Sequence, residues 1–322
     1  MSAFEHRRVL VIGGFGFIGV NLTERLRALG AHVTIATRSI ERHRDAAADA
    51  DARGAHVVEA DLRDATAMRA AVAGQDVVFN LAGQSGAVQS MEDPFTDLDV
   101  NCRGNLVLLE ALREENRSAK LVFASSRLAY GRVGAAPVSE DHGPNPTCVH
   151  AMHKLAVEKY LQLYEHVYGL TCTIARLTNP YGPGQPSERT AYGVVNHMIH
   201  RALAGDRILV YGDGRQRRDY IYIDDAVAAL LRMGESPASN GRTYNVGSGV
   251  GTPLVDMARA ITTMAGGGRL EMVEWPPLAE RIETGDFVAD IGRIRQELSW
   301  EPRVSLAEGL ERTVAFYRAH AA

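Results

Sequence analysis

The stretch Val9-Leu-Val-Ile-Gly-Gly-Phe-Gly-Phe-Ile-Gly19 decides how this chain folds. Its first four residues are apolar and rich in Val, which reads as a buried strand, and an apolar pattern over 17–29 reads as a helix. Between them Gly13, Gly16 and Gly19 fall in a GxxGxxG spacing. Such a strand–turn–helix meets three physical demands together. One glycine allows a tight turn, one lets the backbone touch a pyrophosphate, and one leaves room where helix meets strand. The unpaired N–H groups and the dipole at the helix start favour an anion there. The segment therefore predicts a dinucleotide site in which Gly13, Gly16, Phe17, Ile18 and Gly19 hold the cofactor.

Outward from this turn, strand patterns at 33–36, 57–60, 77–81, 121–124 and 173–175 alternate with helical patterns at 65–73, 98–113 and 151–168. Parallel strands need crossovers, so this alternation predicts a doubly wound α/β sheet of the Rossmann type, with its ligands at the carboxyl ends of the strands. At the end of the second strand, Ile35-Ala-Thr-Arg-Ser39 carries no carboxylate. Thr37 stands where an acid selective for NAD is expected, and Arg38 with its neighbouring hydroxyls suits a 2′-phosphate, which favours NADP over NAD. Asp61 and Leu62 follow the third strand, with Asp61 placed to accept from the adenine amine. Leu81, Ala82 and Gly83 follow the fourth and let the backbone pass close to the cofactor.

After Arg176 the periodicity loosens, and the Gly- and Pro-dense segment 179–189 reads as a long loop leaving the first domain. The expected division is a dinucleotide-binding domain at 1–178 and a smaller α/β substrate domain at 179–322, with segments around 215–247 packing back onto the first. Strands are expected near 208–211, 220–223 and 243–246, and helices near 194–204, 225–233, 255–264 and 306–319.

A chain of 322 residues can bury a large core, and a formal charge of -4 offers no basic face for nucleic acid or an anionic membrane. Its three scattered cysteines, Cys102, Cys148 and Cys172, suggest neither a disulfide framework nor a zinc site. His142, His150 and His153 are poorly spaced for a metal, and none is expected. With no signal-peptide pattern and no long apolar run, a cytoplasmic location is expected.

Several stretches together resemble the extended short-chain dehydrogenase/reductase family, the nucleotide-sugar epimerases, dehydratases and ketoreductases. They include Gly13–Gly19, Ser125-Ser-Arg-Leu-Ala-Tyr-Gly131, Lys154 in its helix, Arg176-Leu-Thr-Asn-Pro-Tyr-Gly-Pro-Gly-Gln185, Gly212-Asp-Gly-Arg-Gln-Arg-Arg-Asp219 and Leu298-Ser-Trp-Glu-Pro302. The resemblance implies hydride transfer at a secondary alcohol or ketone of a nucleotide-linked sugar. It gives Ser126 the role of binding the reacting oxygen and Lys154 that of binding the nicotinamide ribose. The family's tyrosine, four residues before the lysine, is here His150. Spacing of i and i+4 puts His150 and Lys154 on one helix face, while His153 points elsewhere. A cationic Lys154 and an oxidised nicotinamide disfavour imidazolium, leaving a neutral ring able to take a proton. The competing reading is that His150 only packs, with catalysis lost or moved to Tyr130, Tyr192 or a substrate group.

By the same resemblance Asn179 and Arg218 bind the diphosphate, helped by the neighbouring Arg207, Arg215 and Arg217; Arg281 is a further candidate for the nucleotide, and Gln84 borders the sugar. Arg127 and Leu128 occupy the positions of the dehydratases' acid pair and cannot serve as one, which disfavours 4,6-dehydration. Three readings remain. They are an NAD(P)-dependent nucleotide-sugar epimerase acting at C4, an NADPH-dependent keto-sugar reductase, and a nucleotide-binding protein that has lost its catalytic tyrosine. A homodimer built on the helices 98–113 and 151–168 is expected, with Leu106, Leu109, Leu112, Leu155, Leu161 and Tyr164 open to either an interface or a core role.

Overall fold

A computed structural model describes residues 2–185 and 193–320. The strands are β1 (Arg8–Ile12), β2 (His32–Thr37), β3 (His56–Glu59), β4 (Val77–Asn80), β5 (Lys120–Ser126), β6 (Thr171–Leu177), β7 (Asn179–Tyr181), β8 (Arg207–Tyr211), β9 (Arg217–Tyr222), β10 (Thr243–Val246), β11 (Gly251–Pro253) and β12 (Arg269–Val273). Seven form one sheet in the order β10-β6-β5-β4-β1-β2-β3, every neighbouring pair parallel. The doubly wound architecture expected from the alternation is therefore present. Smaller sheets, β11-β9-β7 and β12-β8, follow in the second half.

Strand alternation divides the core. Val9, Val11, Val33, Ile35, Phe79 and Val122 face one side, where the helices Phe17–Ala28 and Ile223–Glu235 lie. Leu10, Ile12, Val78, Leu121 and Phe123 face the other, beneath Ala65–Val72, Gly104–Glu115 and Val149–Tyr168. Burial on both faces explains why these strands read as continuous apolar runs. From β1 the chain winds outward through β2 to β3, and then in the opposite direction from β4. That reversal opens a crevice at the carboxyl ends of β1 and β4.

Two expectations are corrected. Asn179–Tyr181, read as loop, is a strand pairing in parallel with β9, too short and Pro-interrupted to show a period. The segment expected as one helix over 98–113 begins as a π-helix, Leu98–Arg103, and becomes α-helical at Gly104–Glu115. Short helices at Ala87–Glu92 and Pro94–Asp97, not foreseen, lead into it. Leu109, Leu112 and Leu161 are core residues. No helix among the described residues is long and apolar enough to cross a membrane.

Candidate active site

A cleft of about 1020 Å³ runs along the carboxyl ends of the strands. Its floor is the glycine turn. Gly13 has φ +83°, and a Cβ there would sit 2.9 Å from Ala82 N, so both the backbone angle and the approach of the 81–83 segment demand glycine. A Cβ at Gly19 would meet Gly13 O at 2.3 Å, which lets the helix start directly beneath the turn. The helix Phe17–Ala28 begins at Gly16 with no side-chain cap, leaving its first N–H groups free for an anion. These features fit a dinucleotide pyrophosphate. Phe17, Ile18, Leu62, Leu81, Ala82 and Gly83 line the same cleft.

At one end Thr37 closes β2, and Arg38, Arg42 and Arg63 line the wall together with Asp61. The Asp61 carboxylate accepts from Arg63 Nε at 3.0 Å and from Nη2 at 2.6 Å. The Arg63 hydrogen bonds outweigh partial burial and hold Asp61 below the usual carboxylate range. Three guanidiniums against one carboxylate leave this end with an excess of positive charge.

At the other end Ser126, His150 and Lys154 line the cleft together. Ser126 caps the short helical turn Arg127–Tyr130, its Oγ accepting from Leu128 N at 3.2 Å. Lys154 donates to Ala124 O at 2.8 Å, and its ammonium lies 4.6 Å from the centre of the Phe123 ring. Burial pushes that ammonium down to about 8. A Cβ on Gly83 would lie 2.6 Å from Asn101 Oδ1, so glycine is what lets the 81–83 segment pack against that amide.

His150 is 7% exposed, and its backbone N–H donates to Ser90 Oγ at 3.0 Å. Its Nδ1 lies 3.3 Å from Asn101 Nδ2 and 3.6 Å from Asp97 Oδ2. Asn101 also clamps Gln84, accepting from its N–H at 3.0 Å and donating to its carbonyl at 2.8 Å. His153 turns from the cleft and contacts the other oxygen of Asp97 through Nδ1 at 2.6 Å. Sequence reasoning placed no carboxylate with these histidines, and it missed both Asp97 and Asn101. They sit at the end of an unforeseen helix and inside the π-helix, elements without a readable period. His142 lies instead against Tyr130. Among the described residues no group of three or more His, Cys, Asp or Glu is arranged to hold a metal ion.

Tyr130 is fully buried and donates to Asn245 Oδ1 at 2.7 Å. Burial raises its phenol to about 12, and it is not among the residues lining the cleft. Tyr192 and residues 186–189 of the expected loop lie outside the described residues. Gln84 and Asn179 both line the cleft, and Asn179 Nδ2 donates to Asp219 O at 2.8 Å.

The arginines do not form the cluster that their sequence proximity suggested. Arg218 is buried, pairs with Glu283 and donates to Gly285 O at 2.5 Å. Arg207 pairs with Glu271 at 3.3 Å, and Arg217 donates to Gly251 O at 3.0 Å. Arg215, 86% exposed in its side chain, and the exposed Arg281 stand outside the cleft lining. Arg127 is buried beside Phe287 and donates to Thr284 Oγ1 at 3.1 Å.

A family model described as the NAD dependent epimerase/dehydratase family matches residues 9–247. A UDP-glucose 4-epimerase of Mycolicibacterium smegmatis is 36% identical over 314 residues, covering 97% of this chain and 98% of that protein. The UDP-glucose 4-epimerase of Thermotoga maritima, solved with UDP-glucose, superposes with a TM-score of 0.88 at 31% identity over 98% of this chain and 100% of that one. That of Thermus thermophilus, solved with NAD, gives 0.85 at 32% identity, covering 97% of this chain and 99% of that one.

Proposed function

The chain belongs to the NAD dependent epimerase/dehydratase family, and from that premise we propose that it is an NAD(P)-dependent nucleotide-sugar epimerase acting at C4 of the sugar. The observation that carries the reading is the meeting of Ser126, His150 and Lys154 in one cleft with the uncapped glycine turn. When bound, the dinucleotide supplies the hydride acceptor and donor. Gly13, Gly16 and the first turn of the helix Phe17–Ala28 would hold its pyrophosphate, and Lys154 would hold its nicotinamide ribose. Ser126 Oγ orients the sugar oxygen. His150 takes the hydroxyl proton at Nε2 during oxidation and returns it on reduction, while Lys154 keeps the local potential positive. Asn179 and Gln84 border the nucleotide-linked sugar.

Arg127 and Leu128 follow Ser126 and supply no acid–base pair, which supports epimerisation over 4,6-dehydration. The excess of Arg38, Arg42 and Arg63 over Asp61 supports NADP, and that same excess favours the second reading, an NADPH-dependent reductase of a nucleotide-linked keto-sugar. A homodimer is part of the proposal. Met152, Leu163 and Val167 lie on one exposed face of the helix Val149–Tyr168, and Phe95 and Leu98, on short helices packed against it, are exposed as well.

The first test is to denature freshly purified protein and identify the released dinucleotide by mass and amount. Near-stoichiometric cofactor supports the epimerase, and its mass distinguishes NADP from NAD. Protein that comes empty and binds NADPH far better than NADH supports the reductase. A protein with no affinity for either dinucleotide refutes both. His150→Phe is expected to lose turnover, and undiminished turnover removes His150 from the mechanism.

A further inference from the structure

His150 has two faces. Nδ1 is turned toward Asp97 and Asn101, while Nε2, on the opposite edge of the ring, has no protein partner among the described residues, and the residue lines the cleft. Asp97 is 0% exposed, yet only one of its oxygens is satisfied. Oδ1 contacts His153 Nδ1 at 2.6 Å, whereas Oδ2 is buried without a hydrogen-bond partner and faces His150 Nδ1 at 3.6 Å. A buried carboxylate oxygen left bare is costly, and the ring nitrogen of His150 stands 3.6 Å from it.

We propose that Asp97 is the positioning residue for His150: its Oδ2 accepts the Nδ1 proton, holding the tautomer whose bare Nε2 faces the cleft. The proposal rests on the reading of His150 as the acid–base group. Asn101 competes for Nδ1, because its amide nitrogen can only donate and so favours an unprotonated Nδ1. Through its other N–H that amide keeps its bond to Gln84 O at 2.8 Å whichever way the ring is protonated, whereas Asp97 Oδ2 is buried with no hydrogen-bond partner. The carboxylate therefore has more to gain from the ring proton than the amide loses.

The surrounding groups leave Asp97 as the anion of the cluster. Burial pushes its carboxyl up, but the polar groups of His150, His153 and Asn101 around it outweigh burial and hold it below the usual range. Cys102 and Cys148, which also face it, are pushed upward by burial and stay as thiols. Lys154 is the nearby cation. When the sugar hydroxyl gives its proton to Nε2, the ring becomes an imidazolium whose Nδ1–H points at a fixed negative charge. Reversal returns the same proton. An imidazole beside Lys154 alone would lack that counter-charge.

The direct test uses the wild-type protein labelled with 15N-histidine, with the His150 signals assigned by their loss in His150→Gln. The expected spectrum at neutral pH shows His150 protonated on Nδ1 and bare on Nε2. The opposite tautomer overturns the proposal, whether or not any Asp97 variant folds. In Asp97→Asn the amide presents a donor or a weaker acceptor, and the Nδ1–H population is expected to fall. Turnover should drop by about 10²-fold or more while KM and dinucleotide affinity stay within about twofold. An Asp97→Asn variant with unchanged tautomer and kcat, beside an inactive His150→Gln, removes Asp97 and leaves His150 in place. An active His150→Gln removes both.

Discussion

Replacing Gly83 by alanine tests whether Asn101 is the fixed point around which the reacting end is built. A Cβ at position 83 would lie 2.6 Å from Asn101 Oδ1 and 3.5 Å from Lys154 Nζ. The second distance is ordinary contact, but the first forces the amide to move. Asn101 cannot swing aside freely, because it is 0% exposed and held by both backbone groups of Gln84, at 3.0 and 2.8 Å. Displacing it forfeits two hydrogen bonds of about 1 kcal/mol each and strands a buried polar group at about 1–3 kcal/mol. Gly83→Ala should therefore destabilise the fold by about 3–5 kcal/mol. The assay is urea unfolding of the wild type, Gly83→Ala, Asn101→Ala and the double variant. Asn101→Ala removes the obstructing oxygen, so adding alanine at 83 to that background should cost almost nothing. The cycle should show a coupling of about 2 kcal/mol or more, against the roughly 0.5 kcal/mol within which independent sites add. Additive costs would refute the steric argument.

Two further outcomes follow from the same geometry. Lys154 has a folded value near 8 against the ordinary 10.5, so the unfolded chain binds more protons across that window. Stability should rise with pH from about 8 toward 10.5 as the cost of a buried ammonium is relieved, while turnover, which needs the ammonium, falls above about 8. A Lys154→Met variant should lose the stability slope, and a wild-type pair of profiles moving in the same direction would contradict the assignment. The exposed apolar face predicts that Leu163→Asp combined with Val167→Asp yields a folded monomer where the wild type sediments as a dimer; an unchanged sedimentation coefficient would count against that interface.

The glycine turn, the strand–helix alternation and the pairing of His150 with Lys154 were legible because each is a short-range consequence of chain geometry. A positive φ, a period of two or 3.6, and an i,i+4 offset need only neighbouring residues. The partners of the arginines were not legible, for the complementary reason. Arg218 and Glu283 are separated by 65 residues, so nothing near Arg218 in the chain announces its counter-ion. Short elements were invisible too, since the three residues of β7 and the six of the π-helix Leu98–Arg103 are too few to display a period.

The sequence by itself determined the sheet, the dinucleotide turn, and the substitution of a histidine where the family resemblance calls for a tyrosine. Only the tertiary structure decided what that histidine faces. Asp97 and Asn101 reach it from 53 and 49 positions away, across the contact between the segment 94–103 and the helix Val149–Tyr168. A titratable side chain's chemistry depends on which charges and hydrogen-bond partners surround it and how much water remains. Local rules of helix and strand fix the chain's path, but those surroundings exist only after distant segments have packed.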